Sequence, residues 1–426
     1  MLHQHMFSRF IYSIKNNPFD YIYFLFYVGI LATLGMVLVN PDEALKIFIF
    51  STALSLPLIG KNLKHVCSNK KNLVLPFMLL LFGLLQIFWV EIFKQPGSAF
   101  TGAYRSYQNG GKVMLFSALV MTALTSRAPC ANKTRITSVW VIVTAIGLYL
   151  FAGYQLAGAT EPLKYRVALG FEHQTGTAYA LTLVSLLASQ AIINLRMQHT
   201  VSLYLLHFLI SLAVIITTQT RAAILVYPIL SIGLFLMHYH HNRSMLFKAL
   251  LGFVLFVGIA SIPLKSIIEN RYQNMMADLH SYSQNNSRTS IGARLAMQRA
   301  GIEAGKVHLG GQSLEQRSSE IQRLAVEDNS LQGAIKFLDV HLHNEIVDTF
   351  SLKGIPGVIV LLLLYTAMFL TAYWQRNPQL FVISGAIAIY GLSDLLLYAK
   401  GEALSSMLAL CVAAMLSSQF NERTMP

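Results

Sequence analysis

The chain is expected to fold as an all-α polytopic membrane protein, with about twelve transmembrane helices and one large helical loop outside the membrane. Three observations support this. Of its 426 residues, 54% are hydrophobic and only 12% charged, against roughly a quarter charged in soluble domains. Apolar runs of ~17–25 residues, the length that crosses a bilayer, recur from near the start to the end. The remaining charges alternate from one side of these runs to the other.

The apolar runs lie at 21–39, 43–60, 73–93, 108–125, 137–157, 176–195, 201–217, 222–238, 246–264, 355–373, 379–397 and 404–420. The seventh and eighth are nearly continuous. One helix of that length would measure ~55 Å against a hydrocarbon core of ~30 Å. Two spans with a tight turn at 217–221 are therefore expected, although neither Gly nor Pro marks that turn. The runs divide the chain into a bundle at 1–264, a cap at 265–353 and closing spans at 354–426.

Orientation follows from Lys and Arg placement. With the N-terminus in the cytoplasm, the inner segments hold fourteen basic residues from Arg9 to Arg423, and only Asp20 and Glu422 as acids. Both termini are then inside and 265–353 outside. That surplus accounts for nearly all of the +13 net charge, so the basic pI needs no nucleic-acid partner. The first twenty residues lack the pattern of a cleavable signal and read as an inner amphipathic lead-in. Cys67 and Cys130 fall in inner loops and Cys411 in a span, so no disulfide is expected.

Two outer loops carry unusual chemistry. Residues 94–107 hold Arg105 between Tyr104 and Tyr107, and residues 158–175 hold Lys164, Arg166, Glu172 and His173. Such aromatics anchor a protein at the membrane interface or stack on sugars. Arg166 binds an anion or remains a surface charge. Arg221, in TQTRA, is the lone charge in a long apolar stretch. An Arg there snorkels to the interface, or faces inward and grips a phosphate with its planar fork.

The cap holds ten basic and ten acidic residues between Lys265 and Lys353, the balance of a folded unit. A polar stretch at 281–290 precedes helices expected near 291–307 and 314–335. Leu314, Ile321, Leu324 and Leu331 would share the apolar face of the second. Arg294 lies near the start of the first, where the helix N-terminus also favours anions. Asp339 is the expected N-cap of a third helix running through His343 toward Gly354. On that helix His343, Val347, Phe350 and Gly354 would form one stripe, while Gly354 and Gly357 permit close packing or a bend. A His there is suited to removing a hydroxyl proton, or serves packing. His341-x-His343 is half of a metal-ligand pattern. Asp394, near the end of the eleventh run, would pair with Arg221 or Lys400, or cap local structure. Polar material gathered on one side, without related halves, favours an enzyme over a carrier.

His343-Asn344, nine residues, then Gly354-x-x-Gly357 matches the H-[NSQ]-x9-G-x-x-G signature of the bacterial O-antigen ligase family. TQTRA around Arg221 and GARLAM around Arg294 resemble that family's two arginine segments. The resemblance extends over nearly the whole chain and is strongest to the enterobacterial type. It implies a metal-independent, cofactor-free, inverting glycosyltransferase of the GT-C type. Its donor would be O-antigen on undecaprenyl diphosphate, and its acceptor a terminal sugar of lipid A–core at the periplasmic face of the inner membrane. By the same resemblance His343 would be the base, and Arg221, Arg294 and Arg166 would hold the diphosphate. An O-antigen polymerase and a lipid-linked glycan flippase are the alternatives.

Overall fold

The computed structural model describes residues 18–126, 131–162, 164–284 and 286–417. The lead-in before Pro18, Cys130 and the end of the twelfth run lie outside the described residues. Every regular element among the described residues is helical. The membrane-length apolar helices are α1 (Pro18–Met36), α2 (Pro41–Lys61), α4 (Lys70–Phe93), α6 (Ala131–Ala157), α7 (Gln174–Leu195), α8 (Thr200–Thr217), α9 (Arg221–Tyr239) and α13 (Glu345–Trp374). Interspersed with these eight are the short α3 (Leu63–Ser68), α5 (Thr101–Thr125), the long α10 (Arg243–Ser283), α14 (Pro378–Gly391) and α15 (Lys400–Met415).

Helix ends follow local chemistry. Asn40 caps α2 through the amides of Asp42 and Glu43, with Pro41 at the first position, where a missing N–H costs nothing. Between α8 and α9 the expected break is present. Gln219 turns the chain at φ 53°, a left-handed conformation that usually falls to Gly. α7 lies at the centre, with 83% of its apolar window buried. Its small residues, among them Gly176, Ala178, Ala180, Ser185, Ala188 and Ala191, are buried and let neighbouring backbones approach.

The first outer loop differs from expectation. α5 begins at Thr101, so Tyr104 and Tyr107 are helical, and both are buried. They anchor the cap rather than the membrane interface. Tyr104 donates to Glu315 Oε2 at 2.7 Å, and Tyr107 and Trp89 share an apolar cluster with Leu314, Leu352 and Leu395.

The cap consists of α11 (Ser290–Val307), α12 (Leu314–Glu327) and a 3-10 segment, η1 (Asn329–Phe337). The second cap helix ends at Glu327 rather than near 335, because Asp328 breaks it and caps η1 through the amide of Ser330. Ile321 and Leu331 bury in a core of their own with Ala296, Met297, Ala300 and Leu342, while Leu314 turns to the bundle.

The helix expected from Asp339 does not form. Asn344 is the N-cap, its side chain accepting from the amides of Ile346 and Val347, and the His343–Gly354 stripe is lost with it. α13 then breaks at Gly354 (φ 63°, ψ −160°). The left-handed φ suits Gly, and a Cβ there would strike the carbonyl of Leu309. Ile355 instead donates its amide to that carbonyl at 2.9 Å. Pro356 begins the second half, where it costs no helical bond.

Candidate active site

The chain leaves η1 by a turn, carries His341 and His343 across the start of α13, and enters the helix at Asn344. His343 adopts φ 51°, uncommon for a residue with a Cβ, and this turns its side chain away from the helix. Opposite, α14 stops at Gly391, thirteen residues after the first-turn Pro378, and releases a short irregular segment. Asp394 projects from that segment between the two imidazoles. His341 Nε2 lies 2.6 Å and His343 Nδ1 3.1 Å from the same oxygen, Asp394 Oδ1. The rings meet edge to face at 4.5 Å. Asp394 is therefore not the partner of Arg221 or Lys400; Lys400 pairs with Asp42.

The electrostatics separate the two rings. Burial alone would raise the Asp394 carboxyl, but hydrogen bonds from both histidines outweigh it and hold the group well below the usual carboxylate range. Burial lowers His343, and the charges of His341 and Arg294 add to this against the Asp394 bond. Burial also pulls His341 down, yet the hydrogen bond and charge of Asp394 raise it on balance. With the carboxylate ionised, His343 Nδ1 carries the proton it donates, and Nε2 keeps its lone pair.

His341, His343 and Asp394 also place three potential ligand atoms within 4.8 Å of one another. N and O ligands at ~2.1 Å from a tetrahedral ion stand roughly 3.4 Å apart. The 2.6 Å contact of His341 is much shorter and belongs to a hydrogen bond. His343 Nδ1 likewise stands at a hydrogen-bonding distance from the same oxygen.

His343 forms part of the wall of a cavity of about 310 Å³, together with Arg288, Thr289, Arg294, Lys336 and Phe337. Its lining holds three cations and no carboxylate. Thr289 caps the α11 N-terminus through Gly292 N at 3.2 Å, so the positive end of the helix dipole meets the cavity. The structure thus brings His343 and Arg294 together.

Arg166 and Arg221 both lie at a second place, the α8–α9 turn. Arg166 Nε donates to Thr218 O at 3.0 Å, and Val167 donates its amide to Thr217 O at 3.2 Å. Arg221 is the first residue of α9 and partly buried. No hydrogen bond or ion pair among the described residues links this turn to His343. Asn344 caps α13 with its side chain and Gly354 breaks it through its backbone. Gly357 lets α13 begin its second half, since a Cβ there would strike Lys353.

Reading the sequence alone missed the shared carboxylate. The signal present was an acid interrupting the apolar run at 379–397, beside Gly391 and Ser393, where a helix is prone to end.

Comparison with known proteins adds two findings. A family model described as O-Antigen ligase matches residues 206–362, which contain Arg221, Arg294, His343, Gly354 and Gly357. The chain is also 32% identical over 400 residues to the O-antigen ligase of Escherichia coli (strain K12), covering 92% of this chain and 93% of that protein.

Proposed function

The chain belongs to the O-antigen ligase family, and from that premise we propose that it transfers O-antigen polysaccharide from undecaprenyl diphosphate to a terminal sugar of lipid A–core. The observation that carries this reading is His343, held by Asp394 on the wall of a cavity whose other charges are all cationic. His343 Nε2 takes the proton from the acceptor hydroxyl as that oxygen attacks the anomeric carbon. The diphosphate departs from the opposite face, so the configuration inverts. Arg294, with Arg221 and Arg166, stabilises the charge that grows on the leaving diphosphate, an effect larger in the transition state than before it.

On this reading α5, α10, α14 and α15 join the eight apolar helices in a twelve-span arrangement of the GT-C type. Both termini are cytoplasmic. The cap at 265–353, between the bundle at 1–264 and the closing spans at 354–426, faces the periplasm of the inner membrane.

The testing strain lacks the protein and is complemented with wild type. Restored O-antigen on lipid A–core, with carrier-linked polymer accumulating only without the protein, supports ligation. Lipopolysaccharide bearing a single repeat would mean a polymerase, and glycan retained on the cytoplasmic side a flippase.

Two further outcomes follow from the triad. Purified enzyme is expected to keep full activity after treatment with a chelator, because the triad atoms already satisfy one another; loss of activity, restored by one added metal, would assign them as ligands. Asp394→Asn removes the charge that fixes the His343 tautomer. Turnover is expected to fall by up to about 10⁴-fold, the scale for losing the carboxylate that fixes the tautomer of a general-base imidazole. Unchanged turnover would separate Asp394 from the chemistry.

A further inference from the structure

A second buried charge cluster lies behind the histidines, outside the cavity. Arg317 on α12 and Asp348 in the first turn of α13 form an ion pair at 2.9 Å, each side chain 1% exposed. Burying two charges is costly, and an apolar pair of similar size is often no less stable. The remaining bonds of this pair show what it does. Arg317 Nη2 donates to the carbonyl of Val340 at 3.3 Å, and Asp348 Oδ1 accepts the amide of Leu342 at 3.1 Å. These two backbone groups lie on either side of His341, and Leu342 joins His341 to His343. The other oxygen, Asp348 Oδ2, accepts from Tyr107 at 2.5 Å. Tyr107 is itself fixed edge to face against Trp89 and Tyr398.

The stretch from Leu338 to His343 has no regular structure of its own, and His343 sits at a φ that costs energy for a residue with a Cβ. Such a conformation persists only where the surroundings impose it. We propose that Arg317 and Asp348, braced by Tyr107, are positioning residues: they clamp the backbone around His341 and thereby hold His343 against Asp394 at the cavity wall. The inference rests on His343 acting as the base.

The test separates positioning from stability. The double variant Arg317→Met/Asp348→Leu removes both charges of the pair together, but it deprives Val340 O, Leu342 N and the Tyr107 hydroxyl of their partners and takes the Asp348 charge away from the buried Lys353. In reconstituted full-length enzyme with carrier-linked polymer and lipid A–core, its thermal midpoint is expected to fall, because buried polar groups lose partners, and the variant is assayed well below that midpoint, where it is folded. Its kcat is expected to fall about 10²-fold, the scale of a small misplacement of a reacting group, with KM for both substrates unchanged. Wild-type kcat in a folded double variant, or a loss confined to KM, overturns the proposal. If the double variant does not fold, Arg317→Lys decides. Lys keeps the charge but not the planar fork that sets Nη1 on Asp348 Oδ1 and Nη2 on Val340 O, so kcat falls at constant KM; wild-type kcat overturns the proposal. His343→Ala is run in parallel. Activity there removes the base itself, whereas an inactive His343→Ala beside a fully active double variant removes only the clamp.

Discussion

His343→Ala is expected to leave lipid A–core bare and long polymer on undecaprenyl diphosphate. The protein should insert and fold normally, because the imidazole lines a cavity and is not part of a packed core. General-base catalysis by a positioned side chain contributes typically ~10²–10⁴ in rate, so ligation should fall by that factor. Ligation at the wild-type rate would remove His343 from the chemistry. The pH dependence gives an independent check. A base must be unprotonated to act, and burial with nearby positive charge lowers His343 from its ordinary value. Activity in wild type should therefore hold through neutrality and decline on the acidic side, below about 6.5. An acidic limb above neutrality would contradict the assignment.

Arg294→Ala is expected to cost about 10²–10³ in turnover, the usual scale for one donor lost from a developing anion. Arg294 stands beside His343 in a cavity without a carboxylate, and no ion pair holds it among the described residues. Nothing else then competes with a substrate phosphate for its guanidinium. Arg221→Ala should also weaken ligation strongly, acting from the α8–α9 turn. Lys at either position keeps the charge but not the planar fork, so part of the activity should remain. A normal product ladder from the Ala variants would rule out the diphosphate role.

Much of this fold was legible because a bilayer imposes its thickness on the chain. The turn at 217–221, the α11 helix and the break around Gly354 were all readable from length, apolar face and glycine placement. The pairing of His343 with Asp394 was not, since 51 residues separate them and no local pattern selects one acid among several. Arg317 and Asp348 were illegible for a further reason. In an otherwise polar cap, charged residues are expected to be solvated, and only tertiary packing shows that these are enclosed. The false helix at Asp339 arose from an acid before an apolar stretch; Asn344, five residues later, provides the actual cap.

The break at Gly354 also decides which forces reach the active site. Spanning helices tilt and shift as the surrounding bilayer thickens or thins, and an unbroken rod would carry such motion from lipid to histidine. Here the rod is interrupted, and the cap holds both sides of the break: Gln312 donates its backbone amide to Leu352 O before it at 2.9 Å, and Ile355 just after it donates to Leu309 O. A shift of the spanning half is expected to bend the chain first at Gly354, where the helix is already interrupted. If His343 acts as proposed, ligation is expected to vary less with lipid acyl-chain length than it would with the histidine carried on an unbroken spanning helix.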